Sequence, residues 1–370
     1  YQRHLAGRRL HTDDIHGGAS PAGCRKGTSA TGRINAVPLN PGKLDPALLG
    51  RLLGENEIRD DRVKIRPGIG RDVCAIRQDG RYLVAKTDPI TFASDRIGWY
   101  VVQVNANDIA TVGARPKWFL VTALLPEEKT DETLVREIWD DLENSLETID
   151  CCLCGGHTEV TMGLDRPILV GQMLGEVDRN ELVKKDLAGE GDRILMTKGV
   201  PVEGTAIMAR EKRETLSGSF SEQELETGRS YLEDPGISIV EEAMAACSVG
   251  GVHAMHDPTE GGIATGLWEL AEATGLGMRV REDKIKFLEP GRSFCRHFGA
   301  DPLGIISSGT LLICAASDKA GQMKEEIDRR GIGCWDVGVM LPREEGVKLS
   351  REGGKEIEIP VYVQDEIAKI

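Results

Sequence analysis

The sequence predicts a two-domain α/β (α+β) protein, and three observations carry that reading. Its 370 residues exceed what one ordinary core holds. Strand-like apolar runs alternate with helix-period runs along most of the chain. A polar stretch, DRNELVKKDLAGEGD, breaks the alternation near residue 180, after which it restarts. The expected divisions are a disordered tail at 1–36, one domain at 37–180 and a second at 181–370.

The elements follow in order. Residues 1–36 are polar, basic and without period, which predicts disorder. Structure begins at LDPALLGRLLG, where Asp45 can cap a short helix opened by Pro46. Runs at 73–77 and 81–86 flank a Gln-Asp-Gly turn and predict a hairpin. SDRIGWYVVQVNANDIATVGARP is helical, with an apolar stripe through Ile97, Val101, Val104, Ile109 and Val112 and a stop at Gly113. KWFLVTALLP reads as a buried strand, and TDETLVREIWDDLENSLETI as an amphipathic helix with Leu134, Ile138, Leu142 and Leu146 on one side. CCLCGGHTEV predicts a strand running into a Gly-Gly turn, and PILVGQMLGEV another strand. The second half opens with a strand, a Gly-rich turn and a helix in RILMTKGVPVEGTAIMAR. A charged insertion at 211–235, a helix in ISIVEEAMAAC, a helix after HDPTEGG, a strand in SSGTLLICAA and a closing hairpin in VKLSREGGKEIEIPVYV complete it.

Composition narrows the function classes. The net charge is -14, with no basic run to neutralise a phosphate backbone, which argues against nucleic acid and anionic membranes as partners. No apolar run approaches the roughly 20 residues that span a bilayer. Nine cysteines without regular spacing point to free thiols and a cytoplasmic setting. Cys151 and Cys154 have no second pair for a zinc site, so they read as buried small hydrophobes in a strand.

Chemistry concentrates in a few acids: Asp72 after GIGR, Asp88 at the end of the strand YLVAKT, Asp108 inside a helix, and the pair Asp257 and Glu260 before a helix. Asn105 and Asp108 lie three apart on one helix face, within the apolar stripe. A carboxylate there is costly unless a cation or a cap answers it. Each acid also has a structural alternative: Asp72 caps a turn, Asp88 before Pro89 starts one, and Asp108 bonds a neighbouring turn. Together, without a basic cradle, they suggest Mg²⁺-ATP, because Mg²⁺ takes one or two carboxylates plus phosphate oxygens. Gly155, Gly156, His157 and Thr158 offer bare amides and a hydroxyl to a phosphate, or form an ordinary tight turn. His157 and His256 stand beside glycine or acid and serve as site residues or as hydrogen-bonding supports.

In order and spacing, GIGRDVCAI, VAKTDPIT, VNANDIATVGARP, CGGHTEV, MTKGVPVEGTAIMA and HDPTEGGIATGLWELA resemble the AIR synthase-like superfamily, nearest its HypE (hydrogenase maturation) branch. The resemblance covers about residues 40–345. It implies an N-terminal domain that forms a β-barrel across a homodimer and a C-terminal α/β domain that closes an ATP cleft. It implies Asp72, Asp88 and Asp108 as Mg²⁺ ligands. Asn107, Gly155, Gly156, His157 and Thr158 would lie at the nucleotide, with Gly261 and Gly262 letting backbone approach the cleft. His256, Asp257 and Glu260 would face the phosphates and the acceptor. The implied activity is ATP-dependent phosphorylation of a small oxygen-bearing substrate. A thiamine-monophosphate-type kinase and a non-catalytic ATP-binding maturation scaffold are the alternatives. The final VQDEIAKI has no cysteine, so self-modification of the HypE kind is not expected in its usual form.

Overall fold

Asp45 opens the first helix as expected, its carboxylate accepting from the Leu48 amide at 3.0 Å. The computed structural model describes Leu39 and residues 44–55, 57–91, 95–351 and 353–370. The expected tail at 1–36 lies outside the described residues.

In the first half, α1 (Pro46–Gly54) is followed by β1 (Val63–Ile65), β2 (Cys74–Arg77), β3 (Arg81–Ile90), α2 (Ile97–Ala110), β4 (Arg115–Pro126), α3 (Glu132–Thr148), β5 (Cys152–Thr161) and β6 (Ile168–Asp178). Among the described residues the strands form one sheet in the order β1-β2-β3-β6-β4-β5. The β2–β3 hairpin turns at Gln78–Gly80 as read from the sequence, with Gln78 N–H donating to the Arg81 carbonyl at 2.9 Å. Strand β3 runs on through Asp88 and Pro89 to Ile90, beyond the expected stop at residue 86. Its pairing with β2 ends at Ala85, so the missing N–H of Pro89 leaves no ladder bond unmade on that side.

Helix α3 is amphipathic, capped by Asp131 and burying Ile138, Leu142 and Leu146. Helix α2 is buried nearly all round rather than along one stripe. One side packs on its own sheet through Val101, Val102 and Ile109. The other meets the second half, where Trp99 and Tyr100 pack with Val202, Ala206 and Leu232. Helix α2 therefore has no solvent face to carry charge, and its polar residues must serve the interior.

The expected Gly-Gly turn is corrected: Gly155 and Gly156 lie inside β5, an exposed edge strand parallel to β4. A Gly-Gly pair is a turn signal because glycine reaches positive φ. Here the same freedom serves an unusual extended strand, at φ +151° and +149°. A Cβ at Gly156 would collide with the Val121 carbonyl oxygen across the ladder. Gly156→Ala is expected to break the β4–β5 pairing and lower stability by about 2–3 kcal/mol, measured by denaturant unfolding. The cysteine reading also needs correction, since Cys151 is buried but Cys154 is exposed.

The second half runs β7 (Arg193–Thr197), α4 (Glu203–Glu211), α5 (Arg213–Leu216), α6 (Glu222–Ser230), α7 (Val240–Val249), β8 (Val252–His256), α8 (Gly262–Thr274), β9 (Gly277–Arg281), α9 (Gly291–Phe298), β10 (Leu312–Ala315), α10 (Ala320–Arg329), β11 (Cys334–Leu341), β12 (Val347–Ser350) and β13 (Glu356–Glu358). The sheet order is β13-β12-β9-β11-β7-β10-β8. Helix α8 covers one face through Ile263, Leu267 and Leu270, and α7 and α10 cover the other through Ala243, Met323 and Ile327. The charged insertion folds into α5 and α6, where Leu216 and Leu225 pack with Met208 and Phe294. The closing hairpin is β12–β13, shorter than its sequence pattern.

Among the described residues the first sheet does not close into a barrel: β1 and β5 are its edges. Among the described residues no helix is long and apolar enough to cross a membrane.

Candidate functional site

Strand β3 and helix α2 build the first side of the site. Lys86 and Asp88 are two apart on the strand and share a face. Asn105 and Asp108 are three apart on the helix and share a face. Asn105 pins the two elements together: its side-chain oxygen accepts from the Asp88 amide at 2.9 Å, and its nitrogen donates to the Val101 carbonyl at 2.8 Å. Lys86 Nζ then reaches both acids, 2.9 Å from Asp108 and 3.3 Å from Asp88.

The second side joins Asp72 of the first half to residues of the other half of the chain. Asp72, in the turn after Gly70, accepts from Lys185 Nζ at 3.0 Å and meets His256 Nδ1 at 3.3 Å. His256 ends β8, and its Nε2 lies 2.9 Å from Glu269 on α8. Asp257 follows and is buried. One ligand atom from each of Asp72, His256 and Asp257 falls within 4.8 Å of the others. The structure thus brings together Asp72, Asp88, Asp108, His256 and Asp257, five of the residues the sequence singled out.

The electrostatics explain the arrangement. Burial alone would raise the Asp72 carboxyl, but Lys185 and His256 outweigh it and hold it well below the usual range. Burial raises Asp108 well above that range, and Asp257, Asp72 and Asp88 add to this against Lys86. Asp257 is pushed up to about 7 by burial and by Asp72. His256 goes to about 9, because Asp72 and Glu269 more than offset the burial that disfavours its cation. Lys86 stays an ammonium: burial works against it, yet Asp108, Asp88 and Asp72 raise it above its ordinary value.

The acids Asp72, Asp88, Asp108, Asp257 and Glu269 thus outnumber the cations named beside them, Lys86, Lys185 and His256. The surplus is hard oxygen donors in a buried place, a donor set that fits Mg²⁺. His256 is protonated with both ring nitrogens engaged, so the oxygen ligands rather than the imidazole suit that ion. The histidine also makes stability depend on pH without metal. Its folded-state value is about 9, against an ordinary imidazole value of 6.5. Its contribution is fully present below pH 6.5 and lost as pH rises to about 9. Stability in EDTA should therefore fall by up to about 3 kcal/mol across that window, and His256→Gln should flatten the fall.

The remaining expected residues lie elsewhere. Gly155, Gly156, His157 and Thr158 are on the exposed edge strand, where His157 Nε2 lies 3.0 Å from Glu159. Register places Asp88, Gly171, Val121 and Gly156 in one row, so Gly156 stands three strands, or about 14 Å, from Asp88. Asn107 is fully buried, and both ends of its amide are engaged: Nδ2 donates to the Ile237 carbonyl and Oδ1 accepts from the Ile239 amide. It clamps α2 to the start of α7. Gly261 and Gly262 take left-handed φ of +80° and +64°. Gly262 approaches residues 303–305, where a Cβ would lie 2.7 Å from the Ile305 carbonyl, while a Cβ at Gly261 would meet Thr265 and the Tyr362 carbonyl. The Gly261 amide donates to Asp365 at 2.7 Å. Glu260 bears electrostatically on Glu203 and Asp365.

Sequence reasoning missed Lys86, Lys185 and Glu269. Lys86 was within reach, since strand period two places it beside Asp88. Lys185 sits in the polar stretch read as a boundary, where no pattern marks a site residue.

Residues 70–177 match the AIR synthase related protein N-terminal domain, and residues 189–349 match its C-terminal domain. A hydrogenase expression/formation protein of Methanocaldococcus jannaschii is 26% identical over 284 residues, 76% of this chain and 81% of that protein. The carbamoyl dehydratase HypE of Cupriavidus necator is 30% identical over 247 residues, 65% of this chain and 67% of that protein. Among solved structures, hydrogenase maturation protein HypE in complex with ATP has a TM-score of 0.66 at 21% identity, covering 77% of this chain and 87% of that one.

Proposed function

Because the chain belongs to the AIR synthase-related family, we propose that it is an ATP-dependent enzyme that phosphorylates an oxygen of a small carboxamide or carboxylate substrate. The observation that carries this reading is the convergence of Asp72, Asp88, Asp108 and Asp257 from both halves around Lys86 and His256. The carbamoyl dehydratase activity in the name of the Cupriavidus necator relative and the ATP in the HypE complex support it.

Bound Mg²⁺ would neutralise phosphate charge and fix its orientation, held by Asp72, Asp88, Asp108 and Asp257. Lys86 keeps Asp88 and Asp108 aligned, and Asn105 holds the strand that carries Asp88. His256, braced by Glu269, fixes Asp72. The acceptor oxygen bonds the γ-phosphorus as the bond to ADP breaks, which turns a poor leaving oxygen into a good one. Burial of the cluster excludes water, the competing acceptor.

The reading includes a cytoplasmic homodimer. The exposed edge β5, with Leu153 and Val160 on its surface, supports pairing with a second copy. The test is ADP formation from Mg²⁺-ATP against a panel of carboxamides and carboxylates. Metal-dependent ADP release that rises with one acceptor class is expected. Nucleotide that binds without Mg²⁺ and never turns over with any acceptor would replace this reading with an ATP-binding scaffold.

A further inference from the structure

A cavity of about 80 Å³ lies beside Asp72. Three parts of the chain meet in its wall: Lys64 of β1, Arg71 and Asp72 of the turn before β2, and Lys184, Lys185 and Asp186 of the stretch between the two halves. Thr111 and Val112, just past the end of α2, complete it. Hydrogen bonds fix these walls. The Val183 amide donates to the Val112 carbonyl at 3.0 Å, and the Arg71 amide donates to the Gly68 carbonyl at 3.1 Å. Lys185 Nζ donates to the Gly70 carbonyl and, at 3.0 Å, to Asp72.

The charge on the wall runs against that of the chain. The net charge is -14, yet four cations and two acids line this cavity. Asp72 is already answered, since it accepts from Lys185 and meets His256 at 3.3 Å. Among the described residues Lys64, Arg71 and Lys184 stand in no ion pair, and Asp186 is the other acid in the wall. Lys185 has 9% of its side chain exposed. Two of its three N–H groups are engaged among the described residues, which leaves one for a ligand. Positive charge in a concave wall concentrates anions, and a guanidinium fork beside lysines matches the oxygens of a carboxylate or phosphate. At about 30 Å³ per water, the cavity has the room of two or three waters, the size of one such group.

Position separates this cavity from the proposed nucleotide site. Of the acids proposed to hold Mg²⁺, Asp72 is in its wall, whereas Asp88, Asp108 and Asp257 are not among its lining residues. Nucleotide phosphates gathered by all four acids would lie beyond Asp72 and leave the cavity to a second anion.

We infer that the cavity of Lys64, Arg71, Lys184 and Lys185 binds an oxyanion, the carboxylate or phosphate group of the acceptor substrate. This rests on the phosphorylation reading for the word acceptor. It narrows that substrate to one that carries an anionic group apart from the oxygen that receives the phosphoryl group.

Inorganic phosphate and acetate are the probes, each titrated by calorimetry into the full chain in EDTA, at pH 8 and constant ionic strength set with chloride. EDTA keeps Mg²⁺ from carrying phosphate to the acids. The titrations are repeated with a non-hydrolysable ATP analogue and Mg²⁺ at saturation. The variants are the double substitution Lys64→Gln/Lys184→Gln and, separately, Arg71→Gln. These side chains stand in no ion pair among the described residues, so the melting temperatures should match that of the parent. Saturable binding of at least one probe is expected, weakened at least tenfold in both variants and unchanged when the nucleotide site is filled. The tighter probe identifies the group. Equal affinity in parent and variants, or no saturable binding in a parent that binds the Mg²⁺-ATP analogue, overturns the oxyanion site and leaves the phosphorylation reading standing. Competition with the analogue gives the cavity to a nucleotide phosphate and overturns its assignment to the acceptor. Probe binding in a parent that binds no nucleotide keeps the oxyanion site and overturns the phosphorylation reading.

Discussion

Lys86→Met is expected to destabilise the metal-free protein by about 3 kcal/mol and to leave it more dependent on Mg²⁺ than the parent. Lys86 sits 2.9 Å from Asp108 and 3.3 Å from Asp88, with 14% of its side chain exposed. Methionine keeps the length and the packing but removes the charge. Two acids then lose their nearest cation, and Asp108 is already raised by burial and by three neighbouring carboxylates. The loss should be larger at pH 8 than at pH 6, because at the lower pH Asp257, with a value of about 7, takes up a proton and relieves the repulsion. Mg²⁺ should restore more stability to the variant than to the parent, since it supplies the missing positive charge. Denaturant unfolding in EDTA and in Mg²⁺ reads all of these. Equal Mg²⁺ increments in the two proteins would separate Lys86 from the cation site.

Asp88→Asn should have the opposite profile: stability nearly unchanged and affinity for Mg²⁺-ATP down at least 100-fold. The fold at this point is held by the backbone, through the Asp88 amide to Asn105 and the β3–β6 ladder. The carboxylate is 38% exposed, the most open of the acids paired with Lys86 or Lys185, so its removal leaves no buried charge stranded. What goes is a negative oxygen ligand, and an amide oxygen binds Mg²⁺ less well than a carboxylate. A hundredfold loss is about 2.7 kcal/mol of binding free energy. Calorimetry with a non-hydrolysable nucleotide gives the affinity, and thermal unfolding gives the stability. An unchanged affinity would remove Asp88 from the ligand set.

Both substitutions test residues at one corner, yet only Asp88 was legible before the structure. The sequence displayed what local rules encode. Asp45 caps α1, Gln78–Gly80 turns the first hairpin, and the stripe of α3 faces the core. Asp72, Asp88, Asp108, His256 and Asp257 stand out because acids and a histidine beside turns or within an apolar stripe are poor fold-builders. Their convergence is a tertiary fact that no window of sequence contains. Lys185 joins Asp72 across 113 residues, and His256 joins it across 184. The Gly155–Gly156 pair was misread because one residue property serves two purposes: positive φ makes turns, and it also lets β5 press against Val121. Asn107 looked like a ligand beside Asp108. One residue along a helix turns a side chain by about 100°, which sends Asn107 to Ile237 and Ile239 while Asp108 faces Lys86.

The most direct test of the central claim is calorimetric titration of a non-hydrolysable ATP analogue into the full-length protein, in Mg²⁺ and again in EDTA. Binding in Mg²⁺ that EDTA abolishes is what a cation held by Asp72, Asp88, Asp108 and Asp257 predicts. Equal binding in the two buffers, or none in either, would contradict it.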